Sequence, residues 1–154
     1  IQNRRKHPRL KTARIREMAQ VISQDLAYPD AEWSIVLTDD ATIQNLNHNW
    51  RHKDRPTDVL SFPLQDFKKA PDGDTGCPIM LGDVVISMET AARQSRLGGW
   101  SLDEEIQRLL VHGYLHLLGH DHIHGGHQAR QMQSAEKRLL LKLVGEMGFD
   151  LKAI

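Results

Sequence analysis

His112-Gly113-Tyr114-Leu115-His116-Leu117-Leu118-Gly119-His120-Asp121-His122 is the stretch from which the rest of this 154-residue chain can be placed. Two histidines four apart on a helix stack on one face, so their rings can share one metal ion. A third ligand cannot come from further along a straight helix. His120 would lie roughly 12 Å along the axis from His112, whereas a shared zinc sits about 2.0–2.1 Å from each nitrogen. Gly119 resolves this, because glycine takes the left-handed conformation that ends a helix and turns the chain. His122, three residues later, then swings toward the first two. His112, His116 and His122 are the expected ligands, a three-histidine site with an open fourth position. Leu115, Leu117 and Leu118 make this half of the helix apolar almost all round, as an internal helix requires. The competing reading is a histidine-rich surface end that takes up metal adventitiously with help from His120, His124 and His127.

The spacing matches the metzincin zinc-peptidase pattern, H-E-x-x-H-x-x-G-x-x-H, with one loss. Gly113 stands where the peptidase carries its general-base Glu. A glycine cannot take a proton from a metal-activated water, which argues against peptide hydrolysis by that route and leaves the metal chemistry intact. Three imidazoles suit zinc, copper, iron and nickel alike, so spacing does not fix the metal.

Outward from this stretch, Ser101 and Glu104 form a capping box that opens the metal helix, and Leu102, Ile106, Leu109, Leu110 and Leu117 give it a core stripe. Val84-Val85-Ile86, within 80–87, is a continuous apolar run suited to a strand covered on both faces. Ser87 caps a helix that ends at Gly98-Gly99. Trp33 to Leu37 and 57–62 read as further strands, and residues 1–5 as the end of another. Ile15, Met18, Val21, Ile22 and Leu26 recur at helical spacing over 10–26. A second helix runs from Asp39 or Asp40 to Trp50 with Ile43 and Leu46 inward, and a last one from His127 to Gly145 with Met132, Ala135, Leu139 and Leu143 inward. The Pro-, Asp- and Gly-rich stretch 65–78 is expected to be a mobile loop. The chain is therefore expected to be α+β: a small mixed β-sheet packed with about five helices, in a single domain over 1–154, with the metzincin-like zinc helix at one end.

Bulk composition narrows little else. Hydrophobic content of 40% and charged content of 26% are ordinary for a globular chain, and net charge is zero. Seven basic residues and no acidic one fall within 1–16, a patch that fits phosphate or a solvated helix face alike. The single cysteine, Cys77, makes no internal disulfide, and no apolar run is long enough to span a membrane, so a reducing cytoplasm is the simplest setting. Ile1 is not a natural start, so residues are expected to precede it.

A second cluster lies at Arg51, His52, Lys53 and Arg55, several cations ahead of the 57–62 strand. The planar fork of Arg51 suits a phosphate; alternatively Arg51 pairs with Asp54 or Asp58 and pins the loop. Asp83 and Asp121 read as partners for a metal histidine's outer nitrogen or as turn formers. Glu105 lies two turns before His112, where solvent exposure is the simpler expectation. Trp33, Trp50 and Trp100 read as core or rim packing, with no spacing that suggests a base-stacking platform.

Several of these stretches together resemble one family, the YbeY-type rRNA maturation endoribonucleases. They are Leu46-Asn47 through Arg51, Asp54 and Pro56-Thr57-Asp58-Val59-Leu60-Ser61-Phe62-Pro63, Leu81 through Ser87, and His112 through His122. They cover roughly a third of the chain, and their order fits the whole of it. One departure is His120, where the family commonly has Tyr. The resemblance implies a single metzincin-like domain holding one zinc ion through His112, His116 and His122, with Arg51 as the functionally important arginine. It implies a single-strand-specific endoribonuclease acting at the 3′ end of 16S (small-subunit) rRNA and in ribosome quality control. Ribosomal RNA and the small subunit are then the partners, with no membrane and no DNA. Arg51, His112 and His116 carry the expected catalysis. A zinc peptidase with a substitute carboxylate, and a noncatalytic assembly factor with zinc as a structural clip, are the alternatives.

Overall fold

A computed structural model describes residues 1–3, 11–24, 31–65, 78–120 and 127–148. Within them the chain runs β1 (Gln2–Asn3), α1 (Thr12–Gln24), β2 (Glu32–Thr38), α2 (Asp40–Arg51), β3 (Val59–Pro63), β4 (Met80–Ser87), α3 (Met88–Gly98), α4 (Leu102–Leu117) and α5 (His127–Met147). Leu26, the 66–77 part of the expected loop with Cys77, and Asp121, His122 and His124 lie outside the described residues.

The sheet order is β1-β2-β4-β3. β1 and β4 pair parallel to β2, while β3 pairs antiparallel to β4 as an edge strand. Side chains alternate along a strand, and two apolar layers follow from that. Ile35, Leu37, Val84 and Ile86 point into the main core with Ile15, Met18 and Ile22 of α1, Ile106, Leu109 and Leu110 of α4, and Met132, Leu139 and Leu143 of α5. Leu60 and Val85 point the other way, onto Ile43 of α2, with Val36, Leu46 and Phe62 packed around them. The Val84-Val85-Ile86 run is thus covered on both faces. The fold is α+β, a small mixed sheet with one helix on one face and the larger core on the other.

The helix ends follow their local chemistry. Asp39 caps α2 by accepting from the Thr42 N–H, and Ser87 caps α3 by accepting from the Thr90 N–H. Ser101 and Glu104 form the full capping box of α4. β3 begins at Val59, two residues later than the apolar run predicts, and at its entry the Asp58 carboxylate accepts from the Val59 N–H.

One expectation is corrected here. Glu105 is fully buried rather than exposed, since it accepts from Trp100 Nε1 (2.6 Å) and from the Arg108 guanidinium (2.6 Å). Buried carboxylates persist where such charged partners satisfy them. Of the core and rim readings of Trp50 the structure takes the rim: it is 69% exposed and its ring packs edge-on against Phe62.

Candidate metal and phosphate site

α4 is buried over most of its length, and its C-terminal half presents His112 and His116 on one partly exposed face. Their Nε2 atoms lie 3.1 Å apart. Two nitrogens each about 2.0–2.1 Å from one tetrahedral zinc stand roughly 3.3–3.4 Å from each other. The pair is therefore already spaced for a common ion. On the outer side, His112 Nδ1 lies 2.7 Å from Oε1 of Glu136 on α5. A carboxylate accepts, so Nδ1 carries the proton and the Nε2 lone pair is left for a metal. The donor set fits zinc. Among the described residues no group of three such side chains gathers, and His122, the expected third ligand, lies outside them.

The turn after α4 is built as its sequence predicts. Gly119 has φ +83°, its N–H donates to the His116 carbonyl (3.0 Å), and the His120 N–H donates to the Leu115 carbonyl (3.1 Å). These two bonds are the Schellman arrangement, which needs a left-handed residue at that point. His120 is half-buried, and burial lowers its pKa below the ordinary 6.5.

Gly113 is where α4 presses on the sheet. A Cβ there would meet Val84 Cγ1 at 2.6 Å and Ser61 Oγ at 3.2 Å. At the position that carries the base in zinc peptidases, a side chain would have to displace Val84, so packing as well as chemistry favours glycine there.

Glu136 carries no local signature in the sequence beyond its helical spacing, whereas Asp83 and Asp121 read as partners for a metal histidine or as turn formers; Asp121 lies outside the described residues. Asp83 instead accepts from Ser34 across β2 and β4, on the α2 face of the sheet, with the strands between it and α4. Glu136 sits four residues after Met132, on the α5 face that meets α4, and that spacing was the available signal. Arg108 knits this flank together. Burial works against its charge, yet the hydrogen bond and charge of Glu105, with the charges of Asp58 and Glu136, outweigh it and raise its pKa above the ordinary guanidinium value.

Arg51 comes from the opposite face. α2 packs on the far side of the sheet from α4, yet Arg51 Nη2 approaches the Ser61 carbonyl at 3.4 Å. Ser61 Oγ donates to the Gly113 carbonyl at 2.9 Å. One residue of β3 thus links Arg51 to the residue beside His112. This is possible because β3 is the edge strand. Ser87 N–H to Asp58 and Leu64 N–H to Leu81 mark the residues whose backbone groups face β4, so Val59, Ser61 and Pro63 turn theirs outward.

The alternative pairing of Arg51 with Asp54 or Asp58 is not what these carboxylates do. Asp54 accepts from Gln44, and Asp58 accepts from Val59 N–H and Gln94 and lies 3.9 Å from Arg108. Buried Asn47 donates to the Arg55 carbonyl (2.8 Å) and holds the basic loop after α2 in place.

The family model described as Endoribonuclease YbeY matches residues 1–144. A Geobacter metallireducens protein named Endoribonuclease YbeY is 43% identical over 150 residues, 95% of each chain. One of the same name from Aquifex aeolicus is 42% identical over 138 residues, 90% of this chain and 87% of that one. Among solved structures, the solution structure of a Thermotoga maritima protein superposes with a TM-score of 0.63 at 22% identity, covering 96% of this chain and 91% of the other. That likeness concerns the fold.

Proposed function

The chain belongs to the YbeY endoribonuclease family, and from that premise we propose a zinc-dependent endoribonuclease that cuts single-stranded RNA, matures the 3′ end of small-subunit rRNA and works in the cytoplasm. Hydrolysis of RNA phosphodiester bonds is the family's reaction class. The observation that carries the metal part is the His112–His116 pair with Nε2 atoms 3.1 Å apart and Glu136 behind it. Among the described residues no helix is long and apolar enough to cross a membrane.

His112 and His116, with His122 as third ligand, would hold the ion. Zinc bound there supplies Lewis-acid polarisation of a phosphate oxygen. The chain's own residues do the rest. Glu136 keeps the proton on His112 Nδ1 and so fixes which nitrogen faces the site. Arg51 is exposed and carries five N–H donors, so a single long contact to Ser61 leaves several for a phosphate. Its fork would steady the scissile phosphate and neutralise the charge that develops on it. Buried Ser61 ties the β3 edge to α4, holding the Arg51 perch in register with the histidine face.

The test is cleavage of an end-labelled single-stranded RNA by wild type, Arg51→Ala and His112→Ala, each with its metal content measured. Wild type should cut, His112→Ala should lose metal and cutting together, and Arg51→Ala should keep metal while losing roughly 10²–10³ in rate, as loss of one donor to a developing charge does. Equal cutting by all three preparations would assign the activity to a contaminant and leave zinc as a structural clip.

A further inference from the structure

Trp50 is the side chain on the site's rim that packing does not explain. Large aromatics ordinarily bury most of 150–250 Å², yet this one is 69% exposed at the last turn of α2. It is nonetheless held in place. Its ring packs edge-on against Phe62, with centroids 6.1 Å apart and planes at 71°, and Phe62 is packed into the cluster of Ile43, Leu60 and Val85.

Its surroundings suit a polyanion. Arg51 is the next residue, and His52, Lys53 and Arg55 follow, all exposed. The one acid among them, Asp54, is engaged by Gln44. Trp50 touches Phe62 while Arg51 touches Ser61, the preceding residue of the edge strand, and Ser61 bonds to Gly113 beside His112. A chain of contacts therefore runs from the indole and the guanidinium through Phe62 and Ser61 of β3 to Gly113, the neighbour of His112.

We propose that Trp50 is a stacking platform for one unpaired base of the RNA, the nucleotide next to the phosphate that Arg51 holds. The proposal rests on the ribonuclease reading above and deepens it. Indole–base stacking tolerates any base, because every base has a π-face. It requires a base whose face is not already covered, which bases inside a duplex are not. A platform beside the cutting site would thus favour single strands without reading sequence. The cations along 51–55 favour this occupant over a protein partner, whose hot-spot Trp would sit within an apolar core of its interface.

The experiment compares wild type, Trp50→Phe and Trp50→Ala on a short oligouridylate, on the same oligomer with one abasic nucleotide moved along it, and on a duplex. It reads kcat, KM and indole fluorescence. Trp33 and Trp100 are partly buried and bonded to Ser23 and Glu105, so quenching lost in Trp50→Phe reports Trp50. Wild type should be quenched by the single strand and not by the duplex. Trp50→Ala should raise KM roughly 5- to 50-fold with little change in kcat, Trp50→Phe should keep most of the affinity, and one abasic position should cost wild type as much as Trp50→Ala does. If wild type cuts RNA while Trp50→Ala has the same KM and the abasic scan is flat, the platform is wrong and the ribonuclease reading stands. If wild type neither binds nor cuts the oligomers, both fall together.

Discussion

At the scale of single residues, the site depends on a contact 24 positions apart in sequence, His112 Nδ1 to Glu136 at 2.7 Å. An imidazole has two nitrogens, and which one a metal meets is set by what the other one bonds. Glu136→Gln can still accept from Nδ1 but without charge; Glu136→Ala accepts nothing. Zinc affinity measured by chelator competition should fall about 10–100-fold in Glu136→Ala and less in Glu136→Gln, with the fold intact by circular dichroism. Unchanged affinity in Glu136→Ala would remove Glu136 from the site. Glu105 teaches the complementary lesson. Its position two turns before His112 said nothing about burial, which Trp100 and Arg108 decide by satisfying its oxygens.

At the scale of elements, α4 has to serve as core helix and site wall at once. Its capping box, its core stripe and its glycine-ended last turn were all legible, because each follows from residues within a few positions of one another. The tight approach at Gly113 was not, since it needs Val84 of β4 and Ser61 of β3. Two opposing effects bear on Gly113→Ala. Replacing a mid-helix glycine by alanine gains up to about 1 kcal/mol of helix propensity. Forcing a methyl against Val84 at 2.6 Å costs about 1–3 kcal/mol. Packing should win, with a net loss of roughly 1 kcal/mol in urea unfolding and weaker RNA cleavage as α4 is pushed from β3. A variant more stable than wild type would mean the helix can slide away freely.

At the scale of the whole molecule, Asp40 ties the sheet's end to the helices on both its sides. From the first turn of α2 it accepts from Ser87 at the end of β4 and from Thr90 and Arg93 on α3. Burial alone would raise its pKa, but the bonds from Ser87, Thr90 and Arg93 and the charge of Arg93 outweigh that and hold it below 3.8. A depressed carboxylate stabilises the fold above its unfolded pKa, and that stability disappears as pH falls through the lower folded value. Acidification below about pH 4 should therefore destabilise wild type more steeply than Asp40→Asn, which should already be weaker by about 1–2 kcal/mol at pH 7. Parallel stability–pH curves for the two proteins would contradict this assignment.

The order of strands and helices, their caps, the histidine pair and the turn behind it were determined by the sequence alone, because periodicity, capping and left-handed glycine act over a handful of residues. What depends on which elements become neighbours was decided by the tertiary structure. The order β1-β2-β4-β3 puts β3 at the edge, so Arg51 can reach Ser61 from the α2 face while Ser61 holds Gly113 on the other. The same order leaves Asp83 on the face away from the histidines, and the packing of α5 on α4 brings Glu136 to them instead. No spacing along one chain encodes a meeting round the rim of a sheet; it arises when buried apolar faces fix the layers, and only then do the polar groups find their partners.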